Sequence, residues 1–381
     1  MTTNRFDAYR AIENHRGNPL IVYVTSTRPN VAAMMAPDAV RQFIDQIDGI
    51  ASGEKVDVLL HSTGGDGLTA WKLMSILRER FTDITVLVPS MAFSAATMFA
   101  LGANSIVMHP HASLGPIDPQ VTVTTAEGKQ RLFSYEDVGA FIRFLSEEVR
   151  ITEQVHTSAI IDRLFAAVDP LNVGAAKRAS ELSTSVGERL LRMHLPKETI
   201  ERAREIAERL NKTFFAHADA VSRRRARELE LQIAPDDRPL EHLMWQAYLA
   251  IEEYMEMRKP FEPLQLFLSD PTARASVAPA APLILPSNTH PQHAQNAWNA
   301  ALQQALTNQQ TGTACEVPYT VTYALVESVR VASEFRQDGT ISASRLPSGE
   351  FQVSIVTTKS GWRDAVLPKM DLPVPQPLLP T

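Results

Sequence analysis

Four short runs rich in β-branched and other apolar residues punctuate the first third of the chain: Leu20 to Thr25 (LIVYVT), Val56 to His61 (VDVLLH), Ile84 to Val88 (ITVLV) and Ser105 to Met108 (SIVM). Helical patterns separate them, at about Pro37 to Ser52, Gly67 to Arg80 and Ser94 to Leu101. In the second of these, Leu68, Trp71, Leu73, Met74 and Leu77 recur at helical spacing. Few folds accommodate such alternation. It predicts right-handed βαβ units around a buried sheet, an α/β architecture. Each helix starts where a strand stops, so strand ends and helix N-termini gather on one rim, where ligand sites of open α/β sheets form.

The remainder reads differently. From Tyr135 to about Lys259 the pattern is almost wholly helical, with segments near 135–166, 173–193, 197–212, 222–230 and 239–258 and prolines at 196, 235 and 239 between them. Residues 260–381 then hold 14 of the 25 prolines. A Pro/Ala stretch and a Gln/Asn-rich stretch over 260–312 read as a linker. Tyr319 to Thr358 alternates apolar and polar residues around two turn signals, Asp338-Gly339 and Ser348-Gly349, which predicts a small β-meander. The expected organisation is a catalytic domain over 1–259, the linker, and a separable β-rich appendage over 313–381 ending in a mobile Pro-rich tail.

Composition narrows the function classes. A length of 381 residues implies more than one small core, and 44% hydrophobic with 21% charged residues is ordinary for a soluble globular protein. Net charge is −6, which provides no general attraction to nucleic acid or anionic lipid. The basic run Ser222 to Arg227 (SRRRAR) is followed by Glu228 and Glu230 and reads as a solvated helical face or subunit contact. The single cysteine, Cys315, forms no bridge within the chain and suits a reducing compartment. The N-terminal MTTNRFDAYRAIENHRGNP lacks an apolar core, so no signal peptide is read. The uncharged stretch Ile84 to Met108 is interrupted by Pro89, Ser90, Ser94, Gly102 and Asn104, and reads as strand, turn and buried helix, not as an integral membrane segment. A cytoplasmic location is expected.

Three constellations fall on the rim. STGGDG (Ser62 to Gly67) places two glycines where a strand yields to a helix, so the backbone can approach a substrate and aim N–H groups at an anion. A plain tight turn would use the same residues. SMAFSAATMFALGA (Ser90 to Ala103) puts Ser94 at the first turn of a buried helix among small neighbours Ala92, Ala95 and Ala96. Its hydroxyl is held there by backbone geometry, either as a nucleophile or as a helix cap. HPHASLGPIDPQ (His109 to Gln120) is a loop fixed by prolines at 110, 116 and 119. His109 and His111 are not at metal-ligand helical spacing and no Cys/His/carboxylate cluster accompanies them, so no metal is expected, and no motif calls for a cofactor.

In this order and spacing the segments resemble the serine dehydrogenase proteinase family, a branch of the Clp/crotonase-fold serine peptidases related to the signal-peptide peptidases. The matching residues are YVTSTR (Tyr23 to Arg28), STGGD (Ser62 to Asp66), SAAT (Ser94 to Thr97) with ALGA following, IVM (Ile106 to Met108) and LGPIDPQ (Leu114 to Gln120). A weaker likeness continues through DPLNVGAAKRA (Asp169 to Ala179) and FFAHADAVSRRRARELEL (Phe214 to Leu231), so that it covers about 5–258. The resemblance implies a Clp/crotonase-like βαβ superhelix with a helical C-terminal extension. It also implies a nucleophilic Ser94, an oxyanion hole from Gly64, Gly65 and Ala95, ATP-independent hydrolysis of peptides or unfolded segments through an acyl-enzyme, and a homo-oligomer.

The chain departs from the pattern at the base. A serine hydroxyl needs a proton acceptor, a histidine or a lysine kept neutral by burial. Clp proteases use Ser/His/Asp, but where that histidine would fall this chain has about Ile117 and Asp118. Signal-peptide peptidases use a lysine from a later segment. Lys177 and His217 are the leading candidates here, with Lys129 in a polar hairpin and His109 or His111 behind them. Each also suits a structural role. Phe93 shapes the pocket or fills core. Two other functions share the fold: a noncatalytic assembly or binding module, and a crotonase-type acyl-CoA enzyme, which would use carboxylates in place of Ser94.

Overall fold

The computed structural model describes residues 4–51, 53–124, 130–196, 200–212, 220–277, 295–300, 303, 315–346 and 349–367. In chain order the elements are α1 (Arg5–Arg16), β1 (Leu20–Thr25), α2 (Val40–Asp48), β2 (Lys55–His61), α3 (Gly67–Arg80), β3 (Asp83–Val88), β4 (Met91–Ala92), α4 (Ala95–Leu101), β5 (Ser105–Met108) and β6 (Ser113–Leu114). A hairpin of β7 (Val121–Thr124) and β8 (Gln130–Phe133) leads into α5 (Tyr135–Arg143), α6 (Gln154–Ala167), α7 (Pro170–Arg192) and α8 (Ile200–Lys212). The chain continues through β9 (Val221–Ser222), α9 (Arg223–Glu228), α10 (Arg238–Tyr254), α11 (Pro263–Ser269), α12 (Pro271–Ser276), β10 (Val317–Glu327), β11 (Ala332–Arg345) and β12 (Phe351–Asp364).

Seven strands form one sheet in the order β12-β11-β10-β1-β2-β3-β5. β1, β2, β3 and β5 run parallel, and they are the four strands expected from sequence. Both faces of this half are covered, which is why the strands are continuous apolar runs. On one face Ile21, Tyr23, Val58, Leu60 and Val86 pack under α2, α3, α4, α7 and α8. On the other, Leu20, Val22, Val24, Leu59 and Leu87 pack under α1 and α10. The period-2 alternation of β1 therefore feeds two cores from one strand. The stretch Ile84 to Met108 resolves into β3, β4, α4 and β5, and among the described residues no helix is long and apolar enough to cross a membrane.

The C-terminal strands correct the expectation of an appendage. β10 pairs antiparallel with β1, Val22 opposite Glu327 and Val24 opposite Leu325, so the meander extends the central sheet. The start of the expected linker is also packed. Phe267 and Ala273, from α11 and α12, share a core with Val31, Val317, Tyr319 and Ile341. A buried polar network fastens the join: Arg5 pairs with Glu327 at 2.8 Å and Glu334 at 3.1 Å, Tyr9 donates to Glu327 at 2.6 Å, and Tyr254 donates to Glu334 at 2.6 Å. Burial raises the pKa of Glu327, against the pull of Arg5. The Pro-rich tail lies outside the described residues.

One turn signal is also corrected. Asp338-Gly339 sits inside β11 at a bulge, and the reversal between β10 and β11 falls at Ser328 to Val331. Gly339 is required by close approach, since a Cβ there would stand 2.1 Å from the Val356 carbonyl oxygen and 2.7 Å from the Tyr319 ring. The basic run 222–227 is spent on ion pairs: Arg224 and Arg225 with Glu228, Arg227 with Asp236, and Arg223 with Glu241.

Candidate active site

The segment after β2 is held by its own polar atoms. Ser62, fully buried, accepts the Gly64 N–H at 3.1 Å and the Thr25 hydroxyl at 2.8 Å. Gly64 and Gly65 have φ of 109° and 142°, conformations that side chains rarely adopt. Space excludes a side chain as well. A Cβ on Gly65 would stand 2.2 Å from the Met35 carbonyl oxygen, and the Met35 N–H donates to the Gly64 carbonyl at 2.6 Å. With the Gly64 N–H engaged inward, the exposed Gly65 and the Gly67 start of α3 face the cavity.

Ser94 follows β4 with φ 51° and ψ −117°, in the left-handed half of the map where a non-glycine residue is strained. It occupies the N-cap position of α4 but makes no side-chain cap bond. Ser94 lines a cavity of about 340 Å³ together with Gly65, Asp66 and Gly67. The Ala95 N–H, first in α4, has no intrahelical acceptor.

The third loop is buttressed from α4 and α7. Thr97 donates to the Ala92 carbonyl at 2.7 Å and accepts the Gly115 N–H at 3.0 Å, and Ser183 donates to the Ile117 carbonyl. Phe93 fills the space left by Gly115, whose Cβ would stand 3.0 Å from the Phe93 Cβ. Ile117, Pro119 and Gln120 reach the cavity, and α7 closes it with Ala179, Leu182, Ser183 and Val186. Met34, Leu68 and Met98 complete an apolar lining. Sequence reasoning placed Lys177 of α7 at the site but missed the α7 residues that line the cavity, and Met34, since nothing local to either segment signals a wall opposite Ser94.

The candidate bases separate. Lys177 is on α7 but faces Glu181 at 3.8 Å, half-exposed, and lines a different cleft with Glu208 and Lys212. His109 stacks on Trp245, ring centroids 5.0 Å apart, and contacts His111. Burial and the neighbouring His111 lower its pKa. Neither lines the cavity. Lys129 and His217 lie outside the described residues. Asp66 lines the cavity, but its carboxylate caps α3, accepting the Leu68 and Thr69 N–H groups and the Thr69 hydroxyl at 2.6 Å. Among the described residues there is no group of three or more potential metal ligands. Beneath the glycine loop His61 is wholly buried, with neither ring nitrogen hydrogen-bonded, against Tyr248 at 5.0 Å. Burial pushes its pKa down to about 4.

The parallel half of the mixed sheet thus brings a glycine pair, a strained serine and a third loop together at one rim. Residues 3–137 match the family described as ClpP-like SDH-type serine proteinase. Two uncharacterized proteins of Methanocaldococcus jannaschii are 35% and 38% identical over 66 residues, 17% of this chain, so the match spans only 23% of either relative. Among solved structures, two mutants of the 1510-N membrane-bound stomatin-specific protease are similar. One, in complex with a substrate peptide, is 15% identical with TM-score 0.34, covering 58% of this chain and 78% of that one. The other is 14% identical with TM-score 0.35, covering 58% and 83%. A mutant ClpP1 from Listeria monocytogenes is 10% identical with TM-score 0.30, covering 60% and 98%.

Proposed function

We propose that the chain is an ATP-independent serine peptidase in which the Ser94 hydroxyl attacks the carbonyl carbon of a peptide bond. The observation that carries this reading is Ser94 itself, held at a strained φ of 51° at the start of α4, free of any side-chain cap bond and in the lining of the cavity. Attack moves the carbonyl π electrons onto oxygen. The N–H groups of Gly65 and Ala95 are available to hold that oxyanion, while Gly64 supplies the close approach and keeps its own N–H on Ser62. Collapse expels the amine, leaving an acyl-Ser94 ester that water hydrolyses. The serine proton passes to a general base, which returns it to the departing amine nitrogen; His217 and Lys129 are the remaining candidates. Peptides and unfolded segments are the expected substrates. Val155 and Leu171, 77% and 79% exposed on α6 and α7, suit burial against another copy in a homo-oligomer.

The cavity walls favour a second reading as a noncatalytic binding module, because no lysine or histidine among the described residues lines them. The acyl-CoA alternative lacks this support: the cavity carboxylate, Asp66, is committed to α3. A fluorophosphonate probe discriminates. It should label the wild type at Ser94 and leave Ser94→Ala unlabelled with its melting temperature intact. An unlabelled wild type would favour the binding module.

A further inference from the structure

Ser62 holds both halves of the site at once. Through its side chain it accepts the Gly64 N–H at 3.1 Å, which fixes the turn that presents Gly65. Through its backbone it accepts the Phe93 N–H at 3.0 Å and donates to the Met91 carbonyl at 3.2 Å, which fixes the start of β4 and the neighbour of Ser94 that follows it. Thr25, at the end of β1, donates its hydroxyl to the Ser62 Oγ at 2.8 Å, and both residues are wholly buried. The donation sets the hydroxyl order. With Thr25 and the Gly64 N–H both donating to Ser62, the Ser62 proton turns to the Gly64 carbonyl, 3.4 Å away.

We infer that Ser62, oriented by Thr25, is a positioning residue of the oxyanion site: it sets the distance between the Gly65 N–H and the Ser94 hydroxyl without touching substrate. The inference rests on the peptidase reading above. A buried hydroxyl pair at a strand end could merely satisfy the backbone, but here the residue whose side chain holds the glycine turn is the same one whose backbone pairs with the segment leading into Ser94. Oxyanion donors act on the transition state more than on the bound substrate, so misplacing one lowers turnover and spares binding.

The test measures kcat and KM on a fluorogenic leucyl peptide amide and the inhibition constant of a leucyl peptide aldehyde, whose adduct with the serine carries an oxyanion. Ser62→Ala and the near-isosteric Thr25→Val should lower kcat about 10- to 100-fold with KM little changed, and weaken the aldehyde by the same factor. Thr25→Ser, which keeps the donor, should recover most of the rate. If Ser62→Ala does not melt cooperatively, Thr25→Val decides alone. A folded Thr25→Val with wild-type kcat and aldehyde affinity overturns the positioning role while Ser94 labelling still stands. A wild type that no fluorophosphonate labels overturns the peptidase reading and this inference with it.

Discussion

A methyl group on Gly64 would stand 2.7 Å from the Ser94 Cβ and 2.6 Å from the Phe93 carbonyl oxygen, so the glycine turn and the serine turn are packed backbone to backbone. Gly64→Ala meets that contact and a φ of 109° together. It should destabilise by about 2 kcal/mol or more and, in whatever remains folded, slow fluorophosphonate labelling at least about 100-fold. Gly174→Ala is the control: its Cβ would meet nothing within 4 Å in the second turn of α7, and it should raise stability by about 0.5–1 kcal/mol. Urea denaturation of both variants reads the contrast.

His61 makes stability fall with acid. Its folded pKa of about 4 lies below the ordinary histidine value of 6.5, so the unfolded chain takes up this proton first. The contribution is therefore complete above about pH 6.5 and is lost as pH falls toward 4, amounting to about 3 kcal/mol across that window. His61→Phe, which keeps a ring against Tyr248, should flatten the dependence. Urea midpoints at pH 7 and pH 4.5 give the comparison, and equal slopes for the two proteins would remove His61 as the cause.

Lys177→Ala should leave turnover within about twofold, because its partner is Glu181 and its cleft is not that of Ser94. Loss of the true general base costs about 10²- to 10⁴-fold. That loss should appear in His217→Ala or Lys129→Ala when acylation is followed by stopped flow. Wild-type rates in both would leave the site without a base from this chain.

Truncation after Lys259 should leave insoluble protein, not an active fragment, since it strips β10 from β1 and leaves Arg5 and Tyr9 without Glu327. The milder Arg5→Ala strands a buried carboxylate and should cost about 3–5 kcal/mol. A soluble fragment 1–259 that still reacts with the probe would restore the separable appendage.

The four parallel strands were legible because burial on both faces writes itself into the residues of each run, as in Leu20 to Thr25. The glycine pair and Ser94 were legible as a rim, because strand-to-helix junctions are local. Pairing is not local. Nothing in Val317 to Glu327 says that its neighbour is β1, some three hundred residues away, so a strand of the main sheet read as part of an appendage. Asp338-Gly339 carries a turn signature, yet the glycine serves the approach of Tyr319 and Val356. The Gly64 N–H could not be assigned from sequence either, because its acceptor is a side chain only two residues earlier whose rotamer the fold decides.

The pairing of β1 with β10 also has a consequence in time. Val22 leaves the ribosome some three hundred residues before its partner Glu327. At about 5–20 residues per second, β1 waits on the order of 15–60 s with one edge unpaired. Over that interval the apolar strand LIVYVT can dock on β2 but has no neighbour on its other side. The nascent chain is thus an open sheet edge of the kind chaperones shield, until β10 is translated and closes it.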